Sequence, residues 1–203
     1  MEYYNNKPIL SICIPTFNRA GRLNKCLSSI FSQIGNDMEY EIIVSDNCSD
    51  DNTVGVVSSY SSQFNNISYF KNEVNMGADV NFLLAAKKAN GKYIFLHGDD
   101  DYFKNGSLSM ILSLIKSNLD CGLVFLDVRQ KNNTANLING LDDFIKYISI
   151  YSTFVSSIIM RREDFYKIDN LEKKFGSNLP HLYWICSILE KNSKCLIING
   201  DVY

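Results

Sequence analysis

Apolar runs of strand length alternate with helical patterns through the first two thirds of this chain, and few architectures accommodate that alternation. Ile9–Pro15 (ILSICIP), Tyr40–Asp46 (YEIIVSD), Ile67–Asn72 (ISYFKN), Lys92–His97 (KYIFLH) and Gly122–Val128 (GLVFLDV) read as strands. Between them, Leu23, Leu27, Ile30, Phe31 and Ile34 recur at the steps of a helix with one buried face. Ser49 to Tyr60 opens with Ser and Asp residues suited to capping, Ala78 to Ala89 leads to a stop at Gly91, and Leu108, Ile111, Leu112 and Ile115 share a face. Strands that are apolar almost without interruption are buried on both sides. The pattern therefore predicts an α/β fold with a mostly parallel central sheet and helices on both faces. In such sheets ligands bind beyond the carboxyl ends of the strands.

The remaining third is read with less periodicity. Gln130 to Gly140 (QKNNTANLING) is polar and Asn-rich and reads as a mobile loop of the kind that closes over a site. A helix over Leu141 to Ile150, a strand over Tyr151 to Met160, a short helix after Arg161, a helix over Leu182 to Glu190 and a last strand KCLIING follow. The 203 residues are expected to form a single domain, with a ligand-binding half over 1–128 and a second half over 129–203. The chain ends at Tyr203 just past a strand, as though cut short there.

Charge and composition exclude several classes. A formal charge of −2 offers no basic footprint for nucleic acid. The N-terminus has no basic stretch before its short apolar run, so no signal peptide is expected, and no apolar run approaches the length of a membrane span. Peripheral contact with a membrane stays open. The six cysteines are scattered without a CxxC pair and read as reduced thiols in a cytoplasmic protein.

Every polar cluster falls behind a strand. After the fourth comes GDDD, Gly98 to Asp101. Three adjacent carboxylates repel one another unless they are solvated, protonated or facing a cation. They fit either a site for Mg²⁺ or Mn²⁺, which take carboxylate oxygens with phosphates and waters completing the shell, or an acidic turn capping the next helix. Asp46 ends the second strand, where a carboxylate can meet a nucleobase or ribose or merely shape a turn. PTFNRAGRL, Pro15 to Leu23, is a strand-to-helix turn with two arginines and suits an anion. Neither GxGxxG nor GxxxxGK[ST] occurs at this turn, which lowers the case for a dinucleotide fold or a P-loop enzyme. Of the two histidines, His97 ends an apolar strand and reads as structural. His181 stands at a helix start, either as a general base or as a surface residue.

Taken together, LSICIPTFNRAGRLNKCLSSIFSQ, EIIVSDNCSDDNT, NMGADVNFLLAAKKANGKYIFLHGDDD and, more weakly, SSIIMRREDF resemble the family 2 glycosyltransferases. These are inverting enzymes of the GT-A type, and the chain looks closest to the bacterial abequosyltransferase-like and polysaccharide-biosynthesis branch. The resemblance implies a Rossmann-like sheet whose nucleotide site lies at the carboxyl ends of its strands. It implies that Pro15, Thr16, Phe17 and Arg19 lie against the nucleotide, that Asp46 contacts the base, and that Asn75 and Gly77 border the nucleotide sugar. It further implies Mn²⁺ or Mg²⁺ on Asp101 and Asp99, with Asp99 and Asp100 near the ribose or donor sugar and Asp100 at the reacting centre. The donor would be a nucleoside-diphosphate sugar and the acceptor a glycan or lipid-linked molecule of a bacterial surface polysaccharide, made in the cytoplasm or at the inner face of its membrane.

The chain departs from the family pattern in three places. Gly98 stands where relatives usually begin D-x-D-D, and Val80 stands where many have an arginine before Asn81. In LPHLYW the family's tryptophan, Trp184, is present without the preceding acid pair, which leaves His181 as the nearest titratable candidate for the base. A nucleotide-sugar-binding module without catalysis is therefore the alternative from another class. A nucleotidyltransferase is the enzymatic one, although it would usually carry a Gly-rich basic loop after the first strand.

Overall fold

Alternate residues of the strands enter two different cores, and this fixes the layering. The computed structural model describes residues 7–34 and 39–203. In β1 (Leu10–Thr16), Leu10, Ile12 and Ile14 join one buried cluster while Cys13 joins the other. The same division holds in β4 (Tyr93–Leu96), where Tyr93 and Phe95 face one way and Ile94 and Leu96 the other. Side chains of a strand point alternately to opposite faces, so both faces must be covered. The first cluster is roofed by α1 (Ala20–Ile34), α2 (Thr53–Ser61) and α4 (Ser107–Lys116). The second is roofed by α3 (Ala78–Lys87), α5 (Leu141–Ile148) and α7 (Pro180–Lys191).

The remaining elements are β2 (Tyr40–Asp46), β3 (Ile67–Lys71), β5 (Leu123–Asp127), β6 (Thr134–Asn139), β7 (Ile158–Arg161), α6 (Arg162–Phe165) and β8 (Lys194–Asn199). The sheet runs β3-β2-β1-β4-β7-β5-β8-β6. Its first four strands are mutually parallel, and β5 is parallel to β8. β7 lies antiparallel between β4 and β5, and β6 is an antiparallel edge on β8. The sheet is thus mixed in its second half. β7 wedges the C-terminal third between two strands of the first 128 residues, so the two expected halves share one sheet.

Two expectations are corrected. The expected loop from Gln130 to Gly140 contains β6, paired with β8 from Thr134↔Asn199 to Asn139↔Lys194. It reads as a loop because an edge strand needs only one paired side and this one is almost wholly exposed. It is not a free lid. The expected strand over Tyr151 to Met160 is two short 3₁₀ turns across Ser149–Thr153 and Val155–Ser157, and only Ile158–Arg161 is extended. Ile150 and Tyr151 remain exposed there, so their apolar character did not signal a buried strand. Helix α2 begins at Thr53, after the Ser and Asp residues expected at its start, and Asp51 accepts the Thr53 N–H at 3.0 Å. All six cysteines are free thiols. Expectations placed on residues 1–6 and on the Ile34 side chain lie outside the described residues. Among the described residues no helix is long and apolar enough to cross a membrane.

Candidate functional site at the carboxyl ends of the parallel strands

The register of β1 against β2 sets Thr16 beside Asp46, and β4 runs parallel on the other side of β1. The turns that follow these strands therefore open on the same edge of the sheet. Thr16 Oγ1 donates to Asp99 Oδ2 at 2.7 Å, and Arg19 Nη1 reaches Asp99 Oδ1 at 3.1 Å. Asp100 Oδ2 takes two guanidiniums, Arg22 Nη1 at 2.7 Å and Arg19 Nη1 at 3.3 Å. Asp101 meets neither arginine. The Ser156 hydroxyl donates to its Oδ2 and in turn accepts the Gly98 N–H at 2.8 Å.

The charge problem of the triplet is thus met differently at each acid. Burial pushes the Asp99 carboxyl up, against the hydrogen bond from Thr16 and the charge of Arg19. Burial also raises Asp101, helped by the charges of Asp100 and Asp99 and opposed by the Ser156 hydrogen bond. Gly98 leaves room for these groups: a Cβ there would stand 2.8 Å from Asp101 Oδ2 and 3.2 Å from Ser156 Oγ, so one of the two side-chain ends would have to shift. An acid at position 98 would compete with Asp101 for this space.

A cleft of about 380 Å³ lies between the β1 turn and the start of α3. Pro15, Thr16, Phe17, Arg19 and Asp99 line one side, and Asn75 and Gly77 the other. Asp46 does not line it. The Asp46 side chain is fully buried, with Oδ1 accepting the Ser49 N–H at 2.8 Å and Oδ2 accepting the Tyr69 hydroxyl. The neighbouring Asn47 lines the cleft instead, a residue that sequence reasoning passed over. Its Oδ1 accepts the Met76 N–H at 2.9 Å and its Nδ2 donates to Asn75 Oδ1 at 2.7 Å. Asn81, which also lines the cleft, ties α3 to β2 through Ser45. Asparagine directly after a strand is the only trace of this amide network in the sequence.

The two histidines are both buried. His97 stacks on Phe103 with ring centroids 4.6 Å apart, and burial holds its pKa down to about 3, so it is a neutral core residue. His181 does not line the cleft. Neither ring nitrogen meets a partner at good hydrogen-bond geometry among the described residues, although the Thr153 backbone is close enough to act on the ring; burial lowers its pKa, and the Thr153 backbone and the charge of Asp79 oppose this more weakly. Asp79 lies two residues past Gly77, and its Oδ2 accepts the N–H groups of Gly176 at 2.8 Å and Asn178 at 3.2 Å.

A histidine with a depressed folded pKa lets the unfolded chain take up its proton first as pH falls. Stability present above its ordinary value of 6.5 is therefore lost on acidification below it. The wild type should lose stability relative to His181→Leu by up to about 1.4 kcal/mol per pH unit in that window. Urea midpoints taken for both proteins at successive pH values would show it, and parallel curves would exclude it.

Among the described residues no group of three or more His, Cys, Asp or Glu is arranged to hold a metal ion. The donor set fits a looser arrangement. Asp101 spends Oδ2 on Ser156, and no described residue donates to its Oδ1, so one hard oxygen remains for a Mg²⁺ or Mn²⁺ completed by ligand oxygens and water.

Several known proteins share this architecture. The chain is 31% identical to the abequosyltransferase RfbV of Salmonella typhimurium over 202 residues, covering 89% of this chain and 61% of that protein. It is 37% identical over 106 residues to the GalNAc(5)-diNAcBac-PP-undecaprenol beta-1,3-glucosyltransferase of Campylobacter jejuni, covering 52% and 34%. It therefore spans less than two thirds of either relative. Among solved structures, S. aureus TarS 1-349 in complex with UDP-GlcNAc superposes with a TM-score of 0.73 at 20% identity, covering 93% of this chain and 55% of that one. The mannosyltransferase PcManGT of Pyrobaculum calidifontis, in complex with GDP-Man and Mn²⁺, gives 0.68 at 15% identity, covering 96% and 57%. These structural likenesses establish the GT-A fold. The sequence model described as Glycosyl transferase family 2 matches residues 11–176, and with the strand-end turns in their places the chain belongs to that family.

Proposed function

We propose that this chain is the donor-binding and catalytic part of an inverting glycosyltransferase. It would move a sugar from a nucleoside diphosphate to a glycan or lipid-linked acceptor during assembly of a bacterial surface polysaccharide, at the cytoplasmic side. The observation that carries this reading is the 380 Å³ cleft, where the β1 turn, the Asn75–Gly77 segment and Asp99 meet beside two arginines. Pro15 and the half-exposed Phe17 offer an apolar wall for a base, Thr16 and Asp99 suit ribose hydroxyls, and Arg19 suits phosphate oxygens. In the reaction an acceptor hydroxyl oxygen bonds to the anomeric carbon from the face opposite the diphosphate. The bond to the diphosphate oxygen breaks with its electrons on the leaving group, and the hydroxyl proton passes to a base. Asp101 would hold a divalent cation, which when bound supplies neutralising charge to the departing diphosphate.

One observation favours a second reading. His181, the candidate base, is buried and does not line the cleft, so an acceptor bound in the cleft does not meet it in this conformation. With no other base at hand, the chain binds donor and leaves the proton unaccepted. A thermal-shift panel of UDP-, GDP-, CDP- and dTDP-sugars, with and without Mn²⁺, should show one base raising the melting temperature, because ligand binding stabilises the native state by mass action. No shift with any donor would remove both readings. Donor binding without turnover, in a protein as long as its relatives, would leave only the binding module.

A further inference from the structure

Arg22 has no part in the donor cleft, yet it makes the shortest contact to the acid triplet from α1. It stands one helical turn after Arg19, and both guanidiniums reach the same oxygen of Asp100, Arg22 at 2.7 Å and Arg19 at 3.3 Å. The Arg22 and Asp100 side chains are 57% and 41% exposed. An exposed pair of this kind contributes little to stability and opens readily. Arg19, Arg22 and Lys25 line an adjoining cleft of about 560 Å³, and Arg19 is common to both clefts. A guanidinium released from Asp100 therefore has open space beside the place where phosphates would lie.

Charge balance gives the release a direction. Arg19 and Arg22 pair with Asp99 and Asp100, and with the adjacent Asp101 carboxylate counted the cluster is left one unit negative. A divalent cation entering alone would turn that into one positive unit with both arginines still in place. A diphosphate entering with it offsets the excess and offers the planar guanidinium of Arg22 a bidentate partner in exchange for Asp100.

We propose that Arg22 is an internal counter-cation for Asp100 that a divalent cation and a diphosphate displace together, so that each favours the binding of the other. Arg22 is thus a positioning residue. The inference rests on the metal and diphosphate reading above, and binding measurements test it without turnover. Calorimetry with MnCl₂ alone, inorganic pyrophosphate alone and the two together gives the coupling factor, which must be the same whichever ligand binds first. In Arg22→Gln, Mn²⁺ alone should bind about five-fold more tightly, the scale of one exposed ion pair. The enhancement of pyrophosphate binding by Mn²⁺ should shrink by a similar factor, and Arg22→Lys, which keeps the charge but not the bidentate fork, should restore the wild-type affinity for Mn²⁺ alone and only part of the enhancement. Mn²⁺ affinity in Arg22→Gln equal to or weaker than wild type, or an unchanged coupling factor, overturns the role of Arg22 alone. A wild type that binds no Mn²⁺ even with pyrophosphate removes the metal reading and this inference with it.

Discussion

Asp101→Asn is expected to lower sugar transfer by about a hundredfold or more while leaving the fold intact. The amide keeps the shape of the side chain and an oxygen for the Ser156 hydroxyl, so unfolding free energy should change by less than about 1 kcal/mol, the scale of a single hydrogen bond. What it removes is the charged oxygen assigned to the cation, and groups that stabilise developing charge on a leaving group are worth two to three orders of magnitude in rate. Calorimetric affinity for the preferred nucleoside diphosphate in Mn²⁺ should fall with it. Unchanged affinity would place the cation on another residue, and Asp99 would be the next to test.

Trp184→Ala should have the largest effect on stability, about 3–5 kcal/mol, as expected when a fully buried aromatic side chain is truncated. Its ring packs edge-on against Phe165 with centroids 5.4 Å apart, and its indole N–H donates to the Leu171 carbonyl at 2.9 Å. Through that bond α7 holds the chain leading to Gly176 and Asn178, which Asp79 grips from beside the donor cleft. Trp184→Phe should recover most of the loss and leave about 1 kcal/mol, the hydrogen bond to Leu171. Guanidinium unfolding of the three proteins would read both steps. Equal midpoints for the wild type and the alanine variant would mean that the tryptophan is dispensable to the second core.

The sequence made the first half of the sheet legible because β1, β2 and β4 are buried on both faces, which leaves few polar interruptions. The second half was harder for reasons of distance. Nothing local to Ile158–Arg161 says that it will enter between β4 and β5 against their direction, since that depends on partners remote in sequence. Asp99, Thr16 and Arg19 were legible as charged or hydroxyl residues behind strands. Asn47 and Asn81 were not, because neutral amides bring no charge signature and are common in turns. Asp46 looked like a base contact by its position, but its carboxylate is taken up by Ser49 and Tyr69. The pairing of Arg22 with Asp100 joins residues 78 positions apart, and only the folded chain brings them together.

The crowding around Gly98 also bears on how this site can change. A side chain at 98 would meet the ends of Asp101 and Ser156, which are themselves joined by a hydrogen bond, so a substitution at 98 is felt at both. An aspartate placed at 98 would push the Asp101 carboxylate or the Ser156 hydroxyl from its present position before contributing a ligand of its own. Substitutions at 98 and 156 should therefore be non-additive, and a designer adding an acid at 98 would choose residue 156 together with it.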